Sequence, residues 1–369
     1  MSALLVRLAA AVAVALPILA APAGASTADL LLREFTVSPD AMCRITEQWT
    51  EDVLAHHPEG TWAPLEFHPT DAQLDAMGLP PAEVLTARRY PEPTLVTKDG
   101  RTAPVPTSAL DEAVQEPVVA AYAGTGCLGI RPGAWLLIIE GGGITLCSMA
   151  HVYGSPGSYD ISTAGHCGGR GTTASVIAAV GNRGDLFGPV VLDFGTFVSS
   201  VDGGLGRDWA MIDIRSEYQG HVTPTMCVWG GPRGVFESTG GTVTVNWNSG
   251  EIAVDPDPAL IQPIVHYGHG LAVGTGGTPR AGLAIHWGDT HFMFSGAITP
   301  GDSGSGANTA LGDTVGATME AAGIITHLYV DPLMREGVGI MGGTRATAVS
   351  GTLANGQIVP YPIPFPGGP

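Results

Sequence analysis

The sequence is almost without lysine. Lys98 is the only one, and 16 Lys plus Arg face 34 Asp plus Glu, a formal net charge of −18. That sign argues against nucleic acid or an anionic membrane as partner, since both are bound through basic surfaces. No Cys-x-x-Cys pair is present, so the usual spacing of a structural zinc site is missing. No segment beyond the amino-terminal region is apolar for long enough to span a bilayer. No internal repeat at a fixed period is found.

What is present begins with an export signal. Arg7 supplies a short positive region, Leu8 to Ala20 an apolar run, and Ala23-Gly24-Ala25 the small residues read at cleavage. This pattern predicts a signal peptide over 1–25, removed before Ser26, and a secreted protein with no membrane attachment afterwards. In an exported chain the five cysteines, Cys43, Cys127, Cys147, Cys167 and Cys227, are expected to pair with one left over. The 53 glycines and 29 prolines suit a turn-rich, mainly β protein.

The chain changes character near residue 120. Within 26–120, Ser38-Pro39 reads as a helix start, with Ile45, Trp49 and Val53 following at helical spacing. Thr70 and Gln73 form a capping box, Leu74 and Met77 follow, and Gly78 with Pro80 ends that helix. Residues 86–107, rich in Pro and Thr, read as a linker, and Ser108 as the cap of a third short helix. From Cys127 the pattern becomes short apolar runs broken by Gly, Pro, Asp and Asn. Trp135–Ile139, Val190–Phe194, Trp209–Ile214, Thr242–Trp247 and Ala322–Thr326 are predicted strands. They predict a pair of packed antiparallel β-barrels over 121–350, preceded by a small, partly helical segment. Residues 351–369 read as a Pro-rich extended tail.

Three motifs carry chemistry. Gly301-Asp302-Ser303-Gly304-Ser305 offers a hydroxyl nucleophile on a turn whose backbone N–H groups can meet a developing oxyanion. Thr163-Ala164-Gly165-His166-Cys167 offers a base on a loop that a disulfide can pin. Cys147 lies 20 residues earlier, a suitable distance for a hairpin closed by Cys147–Cys167. Asp208-Trp209-Ala210-Met211-Ile212 places a carboxylate at the head of an apolar strand, ready to accept from the imidazole. Asp202 and Asp213 are rivals for that role, the first in a Gly-rich turn and the second inside the run. By subtraction His166 and Asp208 are 42 residues apart, and Asp208 and Ser303 are 95 apart. The order His, Asp, Ser, with template separations of about 45 and 93, is that of chymotrypsin rather than subtilisin or the α/β-hydrolases.

On these motifs, residues from about Cys127 to about Val349 resemble the chymotrypsin-like serine peptidases, in the short style of the bacterial streptogrisin-like branch. The resemblance implies an endopeptidase acting on protein or peptide substrates, with His166, Asp208 and Ser303 as triad. It implies an oxyanion hole from the Gly301 and Ser303 N–H groups and a substrate-pairing strand at Ala322–His327, with Thr326 beside the triad. Ala297, six residues before Ser303, stands where trypsin-like enzymes carry an acidic residue, so an uncharged pocket favouring apolar P1 residues is expected. By parallel with the family, Cys127–Cys227 is a second disulfide, leaving Cys43 unpaired. The resemblance implies a pro-region over 26–120, with a permanent helical layer packed on the barrels as the alternative. The chain departs from the animal enzymes in lacking cysteines around Ser303 and an activation site near Cys127. In those enzymes the aspartate matching Asp302 is neutralised by a freed amino terminus; the resemblance implies that an internal arginine does so here, Arg280 or Arg233, or that activation works otherwise.

No cofactor or metal is called for, and a monomer is expected. The histidines His266, His269, His286 and His291 lack the carboxylate and helix context of a zinc peptidase, and Asp255-Pro256-Asp257 reads as a solvated turn rather than a calcium site. Two other functions use the same residues: an inactive homologue acting as a binding protein, and an acyl hydrolase or esterase.

Overall fold

The computed structural model describes residues 62–111, 127–140, 142–226, 230–237, 241–246, 251–254, 263–268, 278–296, 298, 300–310, 319–331, 336–353 and 356–359. The signal segment, the helix expected after Ser38, Cys43, Cys227, Ala297, His269, Asp255 to Asp257 and the Pro360–Pro369 tail lie outside them.

The described chain opens with a three-residue strand, β1 (Trp62–Pro64), and two short helices, α1 (Asp71–Ala76) and α2 (Ala82–Thr86). Two further short strands follow, β2 (Thr94–Val96) and β3 (Thr102–Pro104). The next seven strands are β4 (Trp135–Glu140), β5 (Gly143–Ser148), β6 (Val152–Ser155), β7 (Ser158–Thr163), β8 (Thr173–Arg183), β9 (Leu186–Asp202) and β10 (Asp208–Ile214). Then come β11 (Gly241–Asn246), β12 (Glu251–Val254), β13 (Pro263–Gly268), β14 (Thr278–Trp287) and β15 (His291–Ser295). β16 (Gly306–Ala310), β17 (Met319–Asp331), β18 (Glu336–Arg345) and a last helix, α3 (Ala346–Ser350), complete the set.

These strands form two curled antiparallel sheets, as expected from the short apolar runs broken by turn residues. The first runs β5-β4-β8-β9-β10-β7-β6, with β2 and β3 added beside β9. It curls until the end of β5 meets the end of β7, where the Thr163 hydroxyl donates to the Ser148 carbonyl at 2.8 Å. The second runs β14-β13-β16-β17-β18-β15 and returns to β14, a closed ring of six strands. Closure removes free edges from that ring. Each sheet holds its own apolar core. Leu136, Val176, Leu192, Phe194, Phe197 and Ile212 fill the first, and Trp287, Phe292, Phe294, Ile325 and Met341 the second.

The sequence places α1 well. Thr70 accepts from the Gln73 N–H, the Gln73 side chain accepts from the Thr70 N–H at 2.9 Å, and Gly78 follows with φ 76°. The reading of 86–107 as a linker is corrected. Its β2 and β3 pair with each other, and Thr94 and Leu95 pair with Val191 and Val190 of β9. Runs of three residues between prolines are too short to signal a strand, and pairing with an existing sheet supplies what local propensity does not. Leu74, Leu79, Leu85, Tyr90 and Val96 are buried here against Trp135, Ile177 and Val191, on the outer face of the first sheet. Of the helix expected from Ser108, the described residues hold the opening, where the Asp111 N–H donates to the Ser108 carbonyl at 3.1 Å. At the other end the chain past Gly351 returns to β6, and Val359 donates to the Val152 carbonyl at 3.0 Å.

Candidate functional site

The two sheets meet where the three motifs come together. His166 sits on a single tight turn, Gly165–Cys167, directly after β7. The turn is tied to β5 by the Cys147–Cys167 disulfide, with Cα atoms 6.3 Å apart. Asp208 is the first residue of β10 and is fully buried. Its Oδ1 accepts from the Gly165 and His166 N–H groups at 2.5 and 3.1 Å, and its Oδ2 lies 2.6 Å from His166 Nδ1. On the other side of the ring, His166 Nε2 is hydrogen-bonded to Ser303 Oγ. The rivals fall away. Asp213 is exposed and faces Asp160 across β7 and β10, and Asp202 is exposed at the end of β9.

Gly165 has a steric reason. A Cβ there would lie 1.9 Å from the Val201 carbonyl oxygen and 3.0 Å from Asp208 Oδ1. Any side chain would push the turn off the carboxylate that orients it. Gly301 has a conformational reason, with φ 100°, a region that side chains disfavour. In that conformation its N–H points across the cleft and donates at 2.7 Å to the carbonyl of Leu65.

The Ser303 loop is braced from both sheets. Ser148 donates its N–H to the Ser303 carbonyl at 2.7 Å and its hydroxyl to the Gly301 carbonyl at 3.0 Å. Asp302 is buried and forms an ion pair with Arg280 of β14, itself 8% exposed, which also reaches the Gly268 carbonyl at 3.4 Å. Of the two candidate cations, Arg280 is therefore the one placed at Asp302, while Arg233 is exposed.

Three further side chains were not legible in the motifs. Thr344 of β18 accepts from the Asp208 N–H at 3.0 Å and donates to the Asp208 carbonyl at 2.8 Å. His327 of β17 stands edge-on to His166, with ring centroids 5.8 Å apart and Nδ1 3.6 Å from Asp208 Oδ2. Burial pushes the His327 imidazole down to about 4, against the opposing pull of Asp208. His151, between β5 and β6, meets the Asn308 side chain of β16 at 3.0 Å, and burial likewise pushes it down to about 4. Their partners lie on strands far away in sequence, so register alone creates these contacts.

Thr326 is buried on β17, and its carbonyl accepts the Leu65 N–H at 3.1 Å. Cys127 is disulfide-bonded. It packs against Met226 and Tyr267, and Cys227, its expected partner, lies outside the described residues. Among the described residues, the one cluster of potential metal-ligating side chains is Cys147, His166 and Cys167, whose sulfurs are joined to each other. His286 and His291 stack on one another at 4.9 Å, and His266 packs edge-on against Phe294.

No family model matches the sequence, and no curated protein is found to be similar. Solved structures similar to the chain include Thermobifida fusca protease A, at 17% identity and a TM-score of 0.36, over 63% of this chain and 98% of that one. A Nocardiopsis protease is 20% identical, with a TM-score of 0.31, over 58% and 92% of the two chains. A Cellulomonas bogoriensis chymotrypsin is 16% identical, with a TM-score of 0.33, over 63% and 98%. The chemistry of the site rests on its own atoms.

Proposed function

We propose that the chain is a secreted serine endopeptidase that cuts protein or peptide substrates through His166, Asp208 and Ser303. The observation that carries this reading is the hydrogen-bonded series from Asp208 through both nitrogens of His166 to Ser303 Oγ. Asp208, already accepting two backbone N–H groups, holds the imidazole with Nδ1–H toward itself and leaves Nε2 free to act as base. Ser303 Oγ then attacks the substrate carbonyl carbon as His166 takes its proton. The oxyanion forms beside the Gly301 N–H, with the Ser303 N–H as second donor. His166 returns the proton to the leaving amine, and water hydrolyses the acyl-enzyme by the same route.

Thr326 contributes its backbone carbonyl to an extended substrate, and the pocket beside Ala297 takes uncharged P1 side chains. Residues 26–120 form the pro-region in this reading. Ser303→Ala tests it. In the processed chain, freed of residues 26–120, the substitution should lower kcat on casein by on the order of 10⁶-fold, because triad members act as a unit. Undiminished turnover would end the proposal.

A further inference from the structure

The segment before α1 lies in the site just described. β1 runs antiparallel to β17, with Ala63 opposite Leu328 and Pro64 opposite His327. One residue on, Leu65 donates its N–H to the Thr326 carbonyl at 3.1 Å and accepts from the Gly301 N–H at 2.7 Å. Two residues further, the Phe67 carbonyl accepts from the Leu146 N–H at 2.8 Å, on the opposite wall, one residue before Cys147. Six consecutive residues thus cross the whole cleft in extended form. They are bonded to β17 before the Leu65 carbonyl and to β5 after it. That carbonyl is held by Gly301, two residues from the Ser303 hydroxyl.

The side chains fit as well as the backbone. Leu65 is 2% exposed and belongs to the same buried apolar cluster as Ile298, Ala322 and Ile325. Trp62 packs edge-on against Tyr329 at 5.4 Å, and a Cβ on Gly342 would touch its ring at 3.1 Å. Ser303 is fully buried and the His166 side chain 6% exposed, so this arrangement leaves no room for a second peptide at the nucleophile. Backbone pairing to an exposed strand, with pockets for selected side chains, is how an extended peptide is recognised.

We propose that Trp62–Phe67 is an internal occupant of the substrate cleft, bound in the register of a peptide to be cut between Leu65 and Glu66. The cleft then takes extended apolar peptides with leucine at P1 and proline at P2, and the attached segment holds it closed. This rests on the serine-peptidase reading above. Glu66 takes the first position beyond the bond, and Phe67 the second. The buried Leu74, Met77 and Leu79 next in the chain fix the segment to the first sheet, so its local concentration at the cleft is high.

The test uses the full chain with Leu65→Asp, which places a charge where the cleft is apolar. This variant should react with a fluorophosphonate at Ser303 at least ~10-fold faster than wild type. It should also cut the peptide Trp-Ala-Pro-Leu-Glu-Phe after Leu, with kcat/KM ~100-fold or more above Trp-Ala-Pro-Lys-Glu-Phe, because an apolar pocket rejects an unpaired charge. Trp62→Gly, which keeps Leu65, is the second variant and should be accelerated in the same direction. Equal labelling rates in wild type and both variants, or a Lys peptide cut as well as the Leu peptide, would overturn the proposal while leaving the peptidase reading intact. No labelling of Ser303 in any of the three chains would overturn both.

Discussion

The Arg280–Asp302 pair is the part of the site where a substitution has the most calculable effect. Asp302 is fully buried and its guanidinium partner nearly so. Removing Arg280 leaves a carboxylate without its countercharge at a place where water cannot replace it. Breaking a buried pair this way costs about 3–5 kcal/mol, whereas replacing both partners with neutral groups is often close to neutral. Arg280→Met alone and Asp302→Asn alone should therefore each destabilise by about 3–5 kcal/mol. The double variant should lie within about 2 kcal/mol of wild type, so the coupling should be several kcal/mol. Asp302 lies between Gly301 and Ser303, so both single variants should also lose turnover. Urea unfolding followed by tryptophan fluorescence reads the stability. Single-variant costs under 1 kcal/mol, or a double variant costing the sum of the singles, would refute the idea that this pair is desolvated and coupled.

The two buried histidines, His151 and His327, stay neutral in the fold to about pH 4, while the unfolded chain takes up their protons near 6.5. The unfolded state therefore binds more protons between these values. Stability present above about 6.5 should fall as pH drops toward 4, by up to about 3 kcal/mol for each histidine, and His151→Gln should flatten part of the slope in a thermal melt. Gly165→Ala should cost turnover severely, because the new methyl meets the Val201 carbonyl; a kcat within about 3-fold of wild type would contradict that geometry. Reducing Cys147–Cys167, which closes a 20-residue separation, should lower stability by about 3 kcal/mol in the chain-entropy model, measurable by unfolding with and without reductant.

What could be read from the sequence follows from where each interaction is written. His166, Asp208 and Ser303 each sit in a five-residue motif whose neighbours are themselves required: Gly165 for space, Gly301 for its backbone, Cys167 for the disulfide. Such motifs survive any loop length between them. The strands were legible for the same local reason, as apolar runs bounded by turn residues. The counterion of Asp302 could be narrowed to two arginines, and sheet pairing decided between them, since β14 carries Arg280 to the Ser303 loop. Ser148, Thr344, His151 and His327 carried no signal, because each acquires its role only when two distant strands are set in register. Residues 62–67 were equally silent. Trp-Ala-Pro-Leu-Glu-Phe has neither helical nor alternating periodicity, and its conformation is imposed by the cleft it enters.

The proposed nucleophile is Ser303, activated by His166. The most direct measurement is covalent labelling by a fluorophosphonate, with the modified residue located by mass spectrometry in the Leu65→Asp chain and in the same chain carrying Ser303→Ala or His166→Ala. One adduct is expected, on Ser303, abolished by the first added substitution and slowed by at least ~10³-fold by the second. A folded Leu65→Asp chain that takes no label, or one labelled at the same rate without His166, would contradict it.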